Sequence, residues 1–447
     1  MLARGWISQP DGRGPLDILQ SCLLTISLCS WSVLFLNIQA VRENRLGFFT
    51  NKARWMLFTI FFPEVLTAIA AEQWRSACQS VEDFSQLRKQ WELALQSPQT
   101  SGNLFRLKDN LSRFKCAPWT MRHAFFADMG GLLLDCPDYT PFPIDGHQLV
   151  YMVENNFLKY PDVKEQVIWD KNKADGFARA LTLTQIAWFF IQSVGRCIQH
   201  LALSTFELST LAFIFCTMNT FFFWRHKPLD VETPIVLVCP TKLEEVLIKA
   251  GDQSRTQFSR TPLDFVKPPI SRTSLLAPFW FGIRAVFDWR KRHNSIPIKE
   301  FGNTQTTPPR GIKIADMIFG NIFTVAYLGI HLAGWNFVFP SVTEQILWRI
   351  SGLILLGVTV LYLLATAFGT VMASRLAKAF FDNDEVTTLL GLVNLQPRWA
   401  AILIHLPVIA AYSFARCYII IEGFVNLRAL PITAFDSVNW ANYMPHL

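Results

Sequence analysis

Four polar side chains on one apolar helix carry the strongest chemical signal in this chain. Gln185, Gln192, Arg196 and Gln199 lie 7, 4 and 3 residues apart within Leu181–Leu203. At about 100° per residue they fall within roughly 60° of one another, a polar seam. Trp188, Phe189, Phe190 and Ile191 fill the neighbouring faces. A guanidinium at mid-bilayer costs about 2.5–3.5 kcal/mol on insertion scales, so Arg196 is expected to face a protein interior or wet cavity and to find a carboxylate or carbonyl. Glu207 follows at the next turn. Such a set can do two jobs: tie helices together, or line a cavity for a ligand or ion. Glu64, His331, Arg349, His405, Arg416 and Glu422 are the other ionisable groups in or near apolar stretches.

Other patterns point to more specific chemistry and carry plainer readings beside it. Asp382-Asn383-Asp384-Glu385 offers hard oxygen ligands of the kind that hold Mg²⁺, and through it a diphosphate. It reads equally as a helix N-terminus, with Asp at the cap and acidic residues in the first turn. Mg²⁺ on Asp382 and Asp384 is the one cofactor the sequence offers. His123 and Asp128 have the His-x4-Asp spacing in which a carboxylate orients a general base against an alcohol; the Gly130-Gly131 that follows suggests a turn instead. Arg225-His226-Lys227-Pro228 suits lipid headgroups. None of the nine cysteines forms a CxxC pair, so neither a zinc site nor a redox motif is expected. Walker, dinucleotide-binding, HExxH and nucleophile-elbow patterns are absent from the sequence. No catalytic residue can be named.

The elements that must position these groups are apolar helices. Over 447 residues the chain is 51% hydrophobic and only 17% charged, against about 25% charged in ordinary soluble domains. Mean hydropathy is +0.26. Windows near the bilayer-spanning length of about 20 residues run over 18–36, 55–71, 181–203, 208–224, 314–339, 346–372 and 399–421. The expected fold is all-α and polytopic, with about seven transmembrane helices and two long cytosolic segments. Its parts are 1–71 with two spans, an amphipathic segment 72–180, a hairpin 181–224 carrying the seam, a Pro-rich and basic segment 225–313, a three-span bundle 314–421 and a tail 422–447. The window at 55–71 is short and contains Pro63 and Glu64. Phe279–Phe287 has the makings of a helix lying on a membrane surface. Lys and Arg concentrate beside the long segments, which makes those segments cytosolic. With seven spans the N-terminus is then cytosolic and the C-terminus lies opposite.

Four stretches resemble a large fungal family of multi-pass membrane proteins with no assigned function. They are Arg4-Gly5-Trp6 through Asp17-Ile18-Leu19, His123 through Gly131, Lys173-Ala174-Asp175 through Arg196, and Glu207-Leu208-Ser209-Thr210 through Asp230-Val231. The resemblance implies a multi-pass topology and, for some relatives, a place near secondary-metabolite pathways; it supplies no catalytic residue. Two functions follow as expectations. One is a membrane enzyme or accessory factor acting on a lipophilic secondary metabolite such as a terpenoid. The other is a transporter or receptor-like protein with an intramembrane polar cavity. The partners expected are the lipid bilayer and a lipophilic small molecule, not nucleic acid, in an endomembrane such as the endoplasmic reticulum.

Overall fold

In the computed structural model the described residues are 2–4, 13–39, 45–96, 104–171, 176–251, 258, 260–266, 297–303, 314–384, 386, 392 and 395–440. Glu385, the surface helix expected at Phe279–Phe287, and the breaks at Pro268-Pro269 and Pro308-Pro309 lie outside them. The chain is mostly helical. Helix α9 (Thr205–Phe223) is the axis. Its start is fixed by a capping box: Ser204 Oγ accepts from Glu207 N at 3.2 Å, and the Glu207 carboxylate accepts from Ser204 N at 2.9 Å. It is apolar almost all round, so it is buried by neighbours rather than by one face. Helices α1 (Pro15–Ser32), α3 (Pro63–Gln96), α8 (Gly176–Ile198), α11 (Ile314–Leu332) and α13 (Arg398–Val425) pack around it, and α12 (Val342–Phe381) packs on α11 and α13.

Among the described residues, three helical stretches are long and apolar enough to cross a membrane: Thr205–Phe223, Val342–Gly369 and Ile402–Arg428. A fourth candidate is a bent pair, α2 (Arg45–Phe61) and α3, which meet at 111°. Around the bundle, large apolar side chains stand outward, among them Trp188, Phe190, Leu361, Leu364, Phe368, Leu403 and Phe414. Exposed apolar side chains in such number are usual where a surface meets something apolar.

Pro63 divides the window at 55–71 between α2 and α3. Pro63 has no N–H to donate and cannot continue α2; Val65 N and Leu66 N turn instead to Phe62 O. Both arms then return to the same end of the bundle. Midway along α2, Lys52 Nζ donates to Asp230 at 2.9 Å, and on the third turn of α3, Gln73 Oε1 accepts from Trp224 Nε1 at 3.0 Å. Asp230 and Trp224 both lie just beyond the C-terminal end of α9. The window at 55–71 is thus divided between two helices bent by 111° at Pro63. Residues near the two ends of the described chain lie together. Strand β1 (Leu2–Arg4) pairs antiparallel with β5 (Ala429–Pro431), Leu2 opposite Pro431, and Arg13 forms an ion pair with Glu207 at the start of α9.

At the Trp224 end the chain builds a folded unit that includes a sheet, which an all-α reading lacks. Strand β2 (Leu132–Cys136) pairs antiparallel with β3 (Tyr139–Pro143) and parallel with β4 (Ile235–Val238). Helices α4 (Leu104–Cys116), α5 (Met121–Asp128) and α6 (Gly146–Glu154) pack with α3, α7 (Glu165–Asp170) packs on α5, and α10 (Leu243–Ala250) follows β4. Phe84, Phe125, Phe126, Phe142, Leu149 and Tyr160 fill its core. The two long segments thus make one unit. The turn expected at Gly130-Gly131 is there: Gly130 takes φ +87°, and a Cβ on Gly131 would stand 2.5 Å from Phe126 O.

Candidate functional site

Arg196 is completely buried, and its guanidinium is saturated. Nε and Nη2 donate to Ala202 O at 3.2 and 2.7 Å, Nη2 to Thr433 O and Ala434 O at 3.0 Å each, and Nη1 to Asp436 O at 2.8 Å. Gln199 exchanges two 3.0 Å bonds with the backbone of Asn439. Gln185 Nε2 donates to Thr25 Oγ1 of α1 at 3.0 Å, and Gln192 is half-buried. Glu207 is held by Ser204 and Arg13. The seam residues therefore face three different partners: α1, the chain's C-terminal stretch and the head of α9. Arg196 and Glu207 meet through Arg13, which donates to the Ala434 carbonyl that Arg196 also holds and pairs with Glu207, whereas Gln185 turns away to α1.

His123 and Asp128 are likewise apart in function. His123 Nδ1 accepts from Thr120 N at 3.2 Å and Nε2 donates to Val163 O at 2.7 Å, which caps α5 and pins a loop; burial lowers its pKa. Asp128 accepts from Ser76 Oγ at 2.7 Å and Gly146 N at 3.2 Å; burial and the nearby Asp145 charge push its carboxyl up to about 6. Asp382 takes a left-handed conformation (φ 48°) that ends α12, and the exposed Asp384 pairs with Lys378 at 3.0 Å. The run closes one helix at Asp382, and Asn383 Oδ1 accepts from Val386 N at 3.1 Å, a bond of the kind that caps a helix start. No group of three or more His, Cys, Asp or Glu residues suited to a metal ion occurs among the described residues.

A second polar cluster forms where α2 and α3 break. The break frees the Phe61 carbonyl, and Arg416 of α13 donates Nε to it at 2.8 Å. Glu64 stands in the first turn of α3, where the helix dipole favours a carboxylate; Tyr412, one turn before Arg416, donates its hydroxyl to Glu64 Oε1 at 2.6 Å. From α11, the Tyr327 ring lies 5.3 Å from the Arg416 guanidinium carbon, and His331, one turn on, meets Tyr327 edge-on at 5.3 Å. Trp348 of α12 donates Nε1 to His331 O at 3.2 Å and closes one side. Thr67 and Thr220, joined at 2.9 Å, close another. Glu64 and Arg416 are 5% exposed, Tyr327 and His331 1%. Yet Glu64 Oε2, Tyr327 OH and His331 Nδ1 have no hydrogen-bond partner among the described residues. Each such buried orphan costs about 1–3 kcal/mol. Three of them stand around one guanidinium, a set of open donors and acceptors.

The sequence marks Glu64, His331 and Arg416 as ionisable groups in apolar stretches, but not Tyr327 or Tyr412. Their only signal is spacing: each tyrosine stands four residues from a charged or titratable partner on the same helix, Tyr327 from His331 and Tyr412 from Arg416.

A family model described as a family of unknown function, DUF8562, matches residues 2–250 and 319–447. The chain belongs to this family. The matched residues include Arg196 and all five members of the cluster at the helix break. No curated protein and no solved structure matches the chain.

At the Trp224 end a further buried cation joins the bundle to the folded unit. Lys227 Nζ donates to Asn37 Oδ1 at 3.0 Å and Gln73 Oε1 at 2.9 Å, and lies 4.7 Å from the centre of the Trp224 ring. Burial pushes its pKa down to about 7. It knits the α1–α2 linker, α3 and the end of α9.

Proposed function

We propose that this is an integral membrane protein with six spanning helices (α1, α8, α9, α11, α12, α13) and a re-entrant pair, α2–α3, whose central cluster holds a lipophilic small molecule. The exposed apolar side chains support the membrane reading, and the arms of α2–α3 support re-entry. The Trp224 end carries Arg75, Arg225, Lys227 and Lys378, so by the positive-inside rule it is cytosolic, and both chain ends lie across the membrane. An endomembrane such as the endoplasmic reticulum is the proposed home. The working role is that of an enzyme or accessory factor acting on a lipophilic secondary metabolite, such as a terpenoid, in a fungus. One observation carries the ligand reading: buried, unpartnered polar atoms on Glu64, Tyr327 and His331 surround Arg416. Non-helical backbone at membrane depth is tolerated where it is enclosed by protein or lines a cavity. Broken helices with polar groups at the break are also a hallmark of secondary transporters, so transport is the second reading.

Gene deletion with untargeted metabolite profiling separates the two. A precursor that accumulates in the cell supports the enzyme or accessory role. A finished product retained inside supports export. An unchanged profile overturns both. Complementation with Arg416→Leu is expected to fail while the protein is still made.

A further inference from the structure

We infer that the group received between Glu64 and Arg416 is an uncharged hydroxyl borne by a lipophilic molecule. The inference rests on the reading of this cluster as a ligand site and concerns only what it accepts. The cluster is balanced within itself: Arg416 supplies one cation, Glu64 one carboxylate, and Tyr327, Tyr412 and His331 are hydrogen-bonding groups around them. A charged ligand would upset that balance where little water screens it. A carboxylate or phosphate beside Arg416 would be pushed out by Glu64, and an ammonium on Glu64 would be pushed out by Arg416.

The open valences narrow the choice among neutral groups. As the carboxylate that balances Arg416, Glu64 accepts at Oε2, and Tyr412 already donates to its Oε1. Arg416 donates only; its terminal nitrogens make no hydrogen bond among the described residues, and its Nε is committed to Phe61 O. Tyr327 OH can do either. A ketone or ether oxygen accepts from Arg416 or Tyr327 but leaves Glu64 Oε2 without a donor. A hydroxyl donates to Glu64 and accepts from Tyr327 or Arg416 at once. A hydrocarbon satisfies neither. Trp348, Phe339 and Leu208 pack behind His331 in the same apolar cluster, so the remainder of the molecule meets hydrocarbon and aromatic surface.

The test uses the full chain in phosphatidylcholine nanodiscs and a photoreactive, alkyne-tagged analogue of farnesol. Labelled peptides are mapped by mass spectrometry. Labelling is expected within 55–70, 322–335 or 405–420. Farnesol should compete at least about ten-fold better than farnesene, farnesoic acid or farnesylamine, because each of these leaves a buried polar group unpaired or adds an uncompensated charge. Tyr327→Phe, a substitution that removes one oxygen and little volume, should weaken labelling about 3- to 10-fold while the protein stays monodisperse on gel filtration. If the acid or the amine competes as well as the alcohol, the hydroxyl assignment is wrong and the ligand site stands. If labelling is absent from these segments, or survives unchanged in a well-folded Glu64→Leu/Arg416→Leu variant, the ligand site falls with it.

Discussion

Arg196 and Arg416 are both buried arginines of one helical bundle, and their surroundings could hardly differ more. Arg196 makes five hydrogen bonds to four backbone carbonyls, drawn from its own helix end and from residues 433–436. Arg416 makes one, to a carbonyl freed by a proline, and looks onto a carboxylate, two phenols and an imidazole with valences to spare. Sequence alone gives both the same description, a cation in an apolar helix. What separates a tie from a site is therefore the count of unmet hydrogen bonds around the charge, not the charge itself.

The largest expected effect strikes the saturated arginine. Arg196→Leu should cost about 3–5 kcal/mol, the usual loss when a buried polar network is broken from one side. No second side-chain change should rescue it, since the partners are backbone; thermal unfolding and yield of purified protein would report this. A variant that folds normally would break the comparison.

At the helix break the opposite holds. Glu64→Leu or Arg416→Leu alone leaves an uncompensated charge, but the triple change with Tyr412→Phe removes the polar set together and should fold within about 2 kcal/mol of the parent. It should nevertheless fail to complement a deletion strain. Full complementation by the triple variant would reduce the cluster to scaffolding.

A smaller effect is expected in the folded unit, away from both arginines. Asp128 has its folded-state pKa raised to about 6, above the unfolded carboxylate value near 3.9. The native state then holds a proton that the unfolded chain releases, so stability is greatest below about pH 4 and falls as pH rises through 6. Asp128→Asn should flatten that part of a pH–stability curve; an unchanged slope would mean the carboxyl titrates normally. Smallest of all, Gln199→Ala removes two bonds to a partly exposed stretch of backbone and should cost under about 1 kcal/mol. Probe labelling should not change.

Much of the helical layout was legible. The windows at 208–224, 346–372 and 399–421 overlap the three helical stretches that pass on length and apolarity, because long apolar runs are the clearest signal a sequence carries. The bend was not, because it turned on one residue: Pro63 cannot continue α2, and the window at 55–71 is divided between two helices. The sheet escaped notice because β2 and β4 are short apolar runs that pair across about a hundred residues of intervening chain, and periodicity cannot tell such runs from buried helix. The polar seam was visible at its true residues, but the direction in which each side chain finds a partner is a tertiary fact. Glu64 illustrates the same limit: the carboxylate that weakened its window is the group that sits at the break.

The closure of the chain on itself has a consequence for biosynthesis. Strand β1 finds its partner only in β5, and Arg196 receives Asp436 O from 240 residues downstream. At 5–20 residues per second, the guanidinium waits on the order of tens of seconds before its carbonyl cage emerges from the ribosome. Chains that stop short of residue 433 would leave that charge uncovered, a ready mark for the cell's degradation machinery.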